Sequence, residues 1–148
     1  MTAPLSTPRK AGALRWSVIP LVSIPLLVTC SPSTEPTQAV VGAYTATTLN
    51  VDDGARSVDV LAQGGSLTLS LAGDHSTTGR LFAPGGGDNG QDLEESLVGS
   101  WSQIGNTIRF SQNADTFVRD AAWITDGATL RTTYVQGGTI VNAILTKE

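Results

Sequence analysis

Few residues of this chain are of a type that does chemistry, and their spacing decides what each can do. His75 is the only histidine, and it sits in AGDHSTTG beside Asp74, Ser76 and Thr77. A general base needs a nucleophile within reach and a third group to orient it. Turn residues ordinarily hydrogen-bond their own backbone instead, so this cluster reads as a turn. Glu94 and Glu95 are adjacent, and adjacent strand residues point to opposite faces, which excludes a glycosidase-type carboxylate pair. Asp88, Asn89 and Asp92 offer hard oxygen ligands in a glycine-rich loop, but their spacing matches no complete calcium loop. Gly85-Gly86-Gly87 lacks the lysine and the following helix of a phosphate cradle. A single histidine and a single cysteine cannot supply a zinc site. No catalytic residue, metal or cofactor is expected, and the chain reads as a non-enzyme.

Arginine near an aromatic ring is the remaining pattern. Arg131 and Tyr134 would hold a ligand carboxylate together only from one face, and a spacing of three separates them on a regular strand. Arg119 and Trp123 share a face of the predicted strand, and so do Arg80 and Phe82. These four are the candidate ligand-binding residues: an inward arginine would anchor a polar head beside an apolar ring. The competing arrangement keeps the arginine outside, its stem lying over the aromatic.

The elements that must position these residues are strands. From Val40 onward, short apolar alternations are cut by turn residues. SLTLSLA, 66–72, alternates strictly, with Leu67, Leu69 and Leu71 on one face and Ser66, Thr68 and Ser70 on the other. Further strands are predicted at 40–51, 80–83, 93–104, 107–112, 116–125, 128–135 and 139–146. Gly105-Asn106, Asp126-Gly127 and Gly137-Gly138 supply tight turns. Residues 55–65 fit one turn of helix or a short strand equally well. PGGGDNGQ, 84–91, has no apolar residue to pack and reads as a flexible loop. The fold class is therefore all-β: about eight antiparallel strands in an up-and-down meander. Closure into a barrel removes the aggregation-prone edges.

The N-terminal part is of another kind. Arg9, Lys10 and Arg15 precede an uncharged apolar stretch, Trp16 to Thr29, broken by Pro20 and Pro25. A basic region, a short apolar region and small residues before a cleavage point make an export signal, and the stretch is short for a membrane span. It ends in Leu27-Val28-Thr29-Cys30, and Cys30 is the only cysteine. This segment resembles the lipobox of bacterial lipoproteins, with Thr29 in place of the usual Gly, Ala or Ser. The resemblance implies cleavage before Cys30, lipidation of its thiol, and a membrane partner reached through that lipid. An ordinary secretory signal with a chance cysteine, or a retained signal anchor, is the alternative. Residues 1–29 are thus a signal peptide, 30–39 a lipidated cysteine and proline-broken tether, and 40–148 the folded domain.

Two motifs carry a second resemblance. Gly42-Ala43-Tyr44 opens the first strand, and Gly99-Ser100-Trp101 lies in a middle one. The stretch 97–120 is similar to small bacterial lipocalin-like domains, in which a Gly-x-Trp strand, a Gly-Asn turn and an aromatic-bearing strand recur. The resemblance covers about residues 40–148 and implies a lipocalin-like barrel that binds a small apolar or amphipathic molecule. The chain departs from it in having a tyrosine at the opening aromatic, no long C-terminal helix and no disulfide pair.

Charge narrows the partners. The whole chain carries a formal −4. Three of its nine basic residues and none of its thirteen acidic ones lie in the leader, so the mature part is near −7. An acidic surface argues against nucleic acid. The expectation is a cell-envelope protein on the periplasmic or outer-membrane face, holding a small apolar ligand. The alternatives are a filled barrel that docks an envelope protein, and an inhibitor that presents a loop to an enzyme. Cys30→Ser is expected to move the protein from the detergent phase to the soluble fraction, or to leave an uncleaved precursor. Intact-mass analysis checks this, and an unmodified Cys30 in membrane-extracted protein would refute lipidation.

Overall fold

The computed structural model describes residues 37–148; Cys30, the leader and the tether up to 36 lie outside the described residues. A helical turn, α1 (Thr37–Val40), leads into β1 (Gly42–Asp52). The strands β2 (Ser57–Asp59), β3 (Ser66–Leu71), β4 (Ser76–Ala83), β5 (Leu93–Ser96), β6 (Gly99–Ile104) and β7 (Thr107–Gln112) follow. A second helical turn, α2 (Phe117–Asp120), precedes β8 (Trp123–Thr125), β9 (Thr129–Gln136) and β10 (Thr139–Lys147). Every pairing is antiparallel, and β10 returns to β1, from Tyr44↔Lys147 to Asp52↔Ile140. The result is a closed eight-stranded barrel with two extra short strands, as the alternation and the tight turns predict.

The extra strands extend the wall at one end. β5 continues β6: Arg80↔Ser96 and Thr77↔Gly99 share one register along β4, and Leu97 N–H donates to the Gly79 carbonyl at 3.0 Å. β2 precedes β3 along β1, with Val51↔Val58 and Ala43↔Ser70 paired and the register offset across the turn between the two strands. The segment 55–65, open to two readings in the sequence, is thus mostly a short strand and a turn. Val60 is buried there and its N–H donates to Leu49 at 2.9 Å. Gly79 and Gly99 mark the tight approaches along β4 and β6. A Cβ at Gly79 would collide with the Thr68 carbonyl and one at Gly99 with the Ser111 carbonyl, which is where a curved wall requires glycine.

Three stretches depart from what the sequence leads one to expect, the first being β4, which begins at Ser76 inside the turn expected over 73–79. Thr37–Val40 is helical, so the last residues assigned to the tether belong to a turn packed on the domain. The 116–125 segment is a strand only from Trp123. Ala121 N–H donates back to the Phe117 carbonyl at 2.9 Å, and Val118 is fully buried. Phe117, Val118 and Ala121 recur at helical spacing, so burying them favours a helical turn over an extended chain.

The two ends of the barrel differ. At one end lie α1, the turns after β3, β6 and β8, and the end of β10. Tyr44 closes this end: it is 1% exposed, and its hydroxyl donates to the carbonyls of Val40 at 2.8 Å and Gly127 at 3.3 Å. Lys147 Nζ adds a bond to the Ala39 carbonyl at 3.0 Å. Trp101 is buried beneath the turn after β3, its indole N–H on the Ala72 carbonyl at 3.1 Å.

The core follows the strand period. Leu67, Leu69 and Leu71 are buried and Ser66, Thr68 and Ser70 exposed. Trp101, Ile108 and Phe110 join the leucines inside. Leu69→Ala is expected to cost about 2–5 kcal/mol and Thr68→Ala within about 0.5 kcal/mol, measured by urea unfolding. Equal losses on the two faces would refute a one-sided strand. Burial raises the Tyr44 phenol above its ordinary pKa, and the charge of Asp126 adds to this. A raised folded-state pKa contributes stability that is complete below the unfolded value near 10 and is lost as pH rises through the folded value. Tyr44→Phe is expected to cost about 0.5–1.5 kcal/mol at neutral pH and to flatten the loss of stability above about pH 10. Denaturation at stepped alkaline pH measures both.

Candidate functional site

The end of the barrel away from α1 is hollow. The cavity is about 480 Å³, inside the roughly 300–1,000 Å³ range of small-molecule sites. Its walls come from inward positions of strands whose other residues face water. β1 contributes Leu49 and Val51, β4 contributes Leu81 and Ala83, β5 contributes Leu93, and β10 contributes Val141. Val58 of β2, Val60 and Phe117 of α2 complete the apolar lining. The wall residues are aliphatic and of modest size, and the large rings lie deeper. Phe117 packs on Trp123 with ring centroids 6.1 Å apart, and Trp123 meets Phe110 edge-on at 6.2 Å. Trp123 is fully buried, and its indole N–H donates to the Val118 carbonyl at 3.1 Å. Of these rings Phe117 lines the cavity, with Trp123 and then Phe110 behind it, and together they form its floor.

The rim is uneven. Pro84, Gly85 and Gly86 of the glycine-rich loop border it on one side. The loop is hydrogen-bonded: Gly85 N–H donates to Asp92 Oδ1 at 3.0 Å and Gly87 N–H to the Gln91 carbonyl at 2.8 Å. The turn between β1 and β2 supplies Asp53 and Arg56, and the turn after β2 supplies Gln63. Asp53 Oδ1 accepts the backbone N–H groups of Ala55 at 2.9 Å and Arg56 at 2.8 Å. These bonds, from Arg56 first and then Ala55, hold its carboxyl below the ordinary range.

The four candidates drawn from the sequence lie elsewhere. Arg80 and Phe82 do share a face, but it is the outer one. The Arg80 guanidinium pairs with Glu94 at 2.8 Å and stands 5.8 Å from the Phe82 ring centroid. Leu81, between them, takes the inside. Arg119 and Trp123 do not share a strand face, because α2 intervenes. Arg119 pairs with Asp120 and Asp115 at the surface, hydrogen bonds that raise its pKa and lower that of Asp120. Trp123 is part of the floor and reaches the cavity only through Phe117. The residues missed are those of the wall and Arg56. Leu49, Val51, Leu81 and Ala83 carried a signal in their period-2 spacing, whereas Arg56 lay in the ambiguous segment.

The other clusters fall as their spacing indicates. Asp74 Oδ1 accepts the N–H and the hydroxyl of Ser76, which lowers its pKa, and the His75 ring lies 4.9 Å from the Trp101 ring. Glu94 faces out with Arg80, and Glu95, in register with the buried Leu81, points the other way. Arg131 pairs with Asp126 outside, on the face opposite Tyr134. Among the described residues, no three His, Cys, Asp or Glu side chains gather as a metal site.

Fold and cavity together define a small antiparallel β-barrel, closed at one end and hollow at the other. No protein-family model, curated protein or solved structure matches this chain.

Proposed function

We propose that this chain is a lipid-anchored cell-envelope protein whose lipocalin-like barrel binds a small apolar or amphipathic molecule without catalysing a reaction. The cavity carries the reading: an apolar hollow of about 480 Å³ with a ring floor and a one-sided polar rim. Burial of apolar ligand surface against Leu49, Leu81, Leu93 and Phe117 would supply the affinity. The lipobox at Leu27–Cys30 supports the anchor and the envelope location. More than one acyl chain, as lipoprotein processing installs, would make that anchoring stable.

A second reading rests on the outer surface. Ile124 of β8, Val135 of β9, and Ile140 and Ile144 of β10 are exposed on adjoining strands, Val135 at 63%. Exposed apolar residues of this kind, interspersed with Arg131, Thr133 and Asn142, suit a protein partner in the envelope, with the cavity left unused.

Titration of the full chain carrying Cys30→Ser with the neutral probe N-phenyl-1-naphthylamine separates the two. The expected outcome is saturable fluorescence enhancement, abolished by Val58→Trp. That change fills the cavity from β2, which lies outside the closed eight strands, and is expected to leave the melting temperature nearly unchanged. A flat titration on protein with intact β-type circular dichroism would refute the carrier reading and leave the partner reading.

A further inference from the structure

We infer that the cavity's occupant is an amphiphile with one anionic head group, held at the rim by the Arg56 guanidinium; this rests on the carrier reading above. The polar lining is confined to Asp53, Arg56 and Gln63, and Arg56 is the one cation that lines the cavity among the described residues. All three come from the turns beside β2, so a polar head has a single side of the rim on which to settle. The rest of the lining near the rim offers Pro84, Gly85, Gly86 and the Phe117 ring.

The hydrogen-bond inventory of that side sets the sign of the head. Both backbone donors of the Asp53 turn end on Asp53 Oδ1, and Oδ2 faces Arg56 Nε at 3.6 Å. The carboxylate is thus occupied by its own turn. Arg56 is the reverse. Its backbone is fixed at both ends, because its N–H donates to Asp53 Oδ1 at 2.8 Å and its carbonyl accepts from Asp53 N–H at 3.1 Å. Its side chain is 80% exposed, and the two terminal amino groups have no hydrogen-bond partner among the described residues. A guanidinium with free terminal donors presents a fork that matches a carboxylate or phosphate in two parallel bonds. An acyl tail running from that fork would lie along Val51, Val58 and Leu81 toward Phe117.

Competition against the neutral probe, using the full chain with Cys30→Ser, tests this. Dodecanoate and dodecyl phosphate are expected to displace the probe about tenfold more tightly than dodecanol at low salt, the scale of one charge-assisted hydrogen bond. Arg56→Gln is expected to bring all three within about twofold of one another, each displacement referred to that variant's own probe affinity, while the melting temperature stays unchanged, since an exposed ion pair contributes little to folding. Arg56→Lys is expected to keep part of the preference. Tighter binding of only one anion identifies the head as carboxylate or phosphate and supports the inference. Equal displacement by dodecanol and both anions would overturn it and leave the carrier reading intact. Tightest displacement by dodecyltrimethylammonium would overturn it in favour of Asp53. Failure of the neutral probe itself would remove both readings.

Discussion

The pairing of β1 with β10 is the constraint on which the rest of the barrel depends. Eight register pairs join the first long strand to the last. They give β1 partners on both sides and leave the eight-stranded circuit no open edge. The closure also fixes the interior. Alternation has a period of two on each side of the bulge between Ala46 and Thr48, which brings Tyr44 and Leu49 to the same face, so a one-residue slip in this seam would turn both outward. Closed this way, the wall becomes a scaffold whose two ends can be used differently.

The ends differ because of residue size and because of where the extra strands fall. Tyr44 and Trp101 sit low in the barrel, where α1 and the hairpin turns cover them. The Phe117, Trp123 and Phe110 rings fill the middle. Above them the wall is made of Leu, Val and Ala, and β2 and β5 prolong it beyond the filled part. A barrel of eight strands is just wide enough for its own side chains to fill or to hold one small ligand. This barrel is filled toward the α1 end and hollow toward the other.

Much of this was legible from alternation and turn chemistry. Leu67, Leu69 and Leu71 announce a one-sided strand, and Asp126-Gly127 announces a hairpin. Asp126 accepts the N–H groups of Ala128 and Thr129, which lowers its pKa, while Gly127 takes a φ of 91°. What alternation cannot supply is which of two faces is the inner one. Arg80 and Phe82 share a face because they are two apart, yet only the competition with Thr77 and Leu81 for the interior places them outside. The 116–125 segment failed differently: Phe117, Val118 and Ala121 satisfy a helical period as readily as a strand one, and a ten-residue window does not decide between them. The cavity was the least legible feature. It is a volume that no side chain fills, set by many neighbours at once, and the sequence registers it only as a run of modest aliphatic residues. The glycine-rich loop at its rim was visible, because residues without side chains to pack must lie at an end.

The β1–β10 seam also bears on how the chain comes to be folded. Its partners lie about as far apart in sequence as the domain allows, so loop-closure entropy must be overcome before the seam returns any stabilisation. Chains dominated by such non-local pairings fold slowly. β10 is the last of the eight strands to leave the ribosome, and until it arrives β1 has one side unpaired. A polypeptide that cannot close early stays threadable for longer. On the lipid-anchored envelope reading proposed above, a late-closing barrel would keep the polymer linear until export is done. The same delay leaves the β1 edge open to other chains, which is where misassembly of this domain is expected to begin.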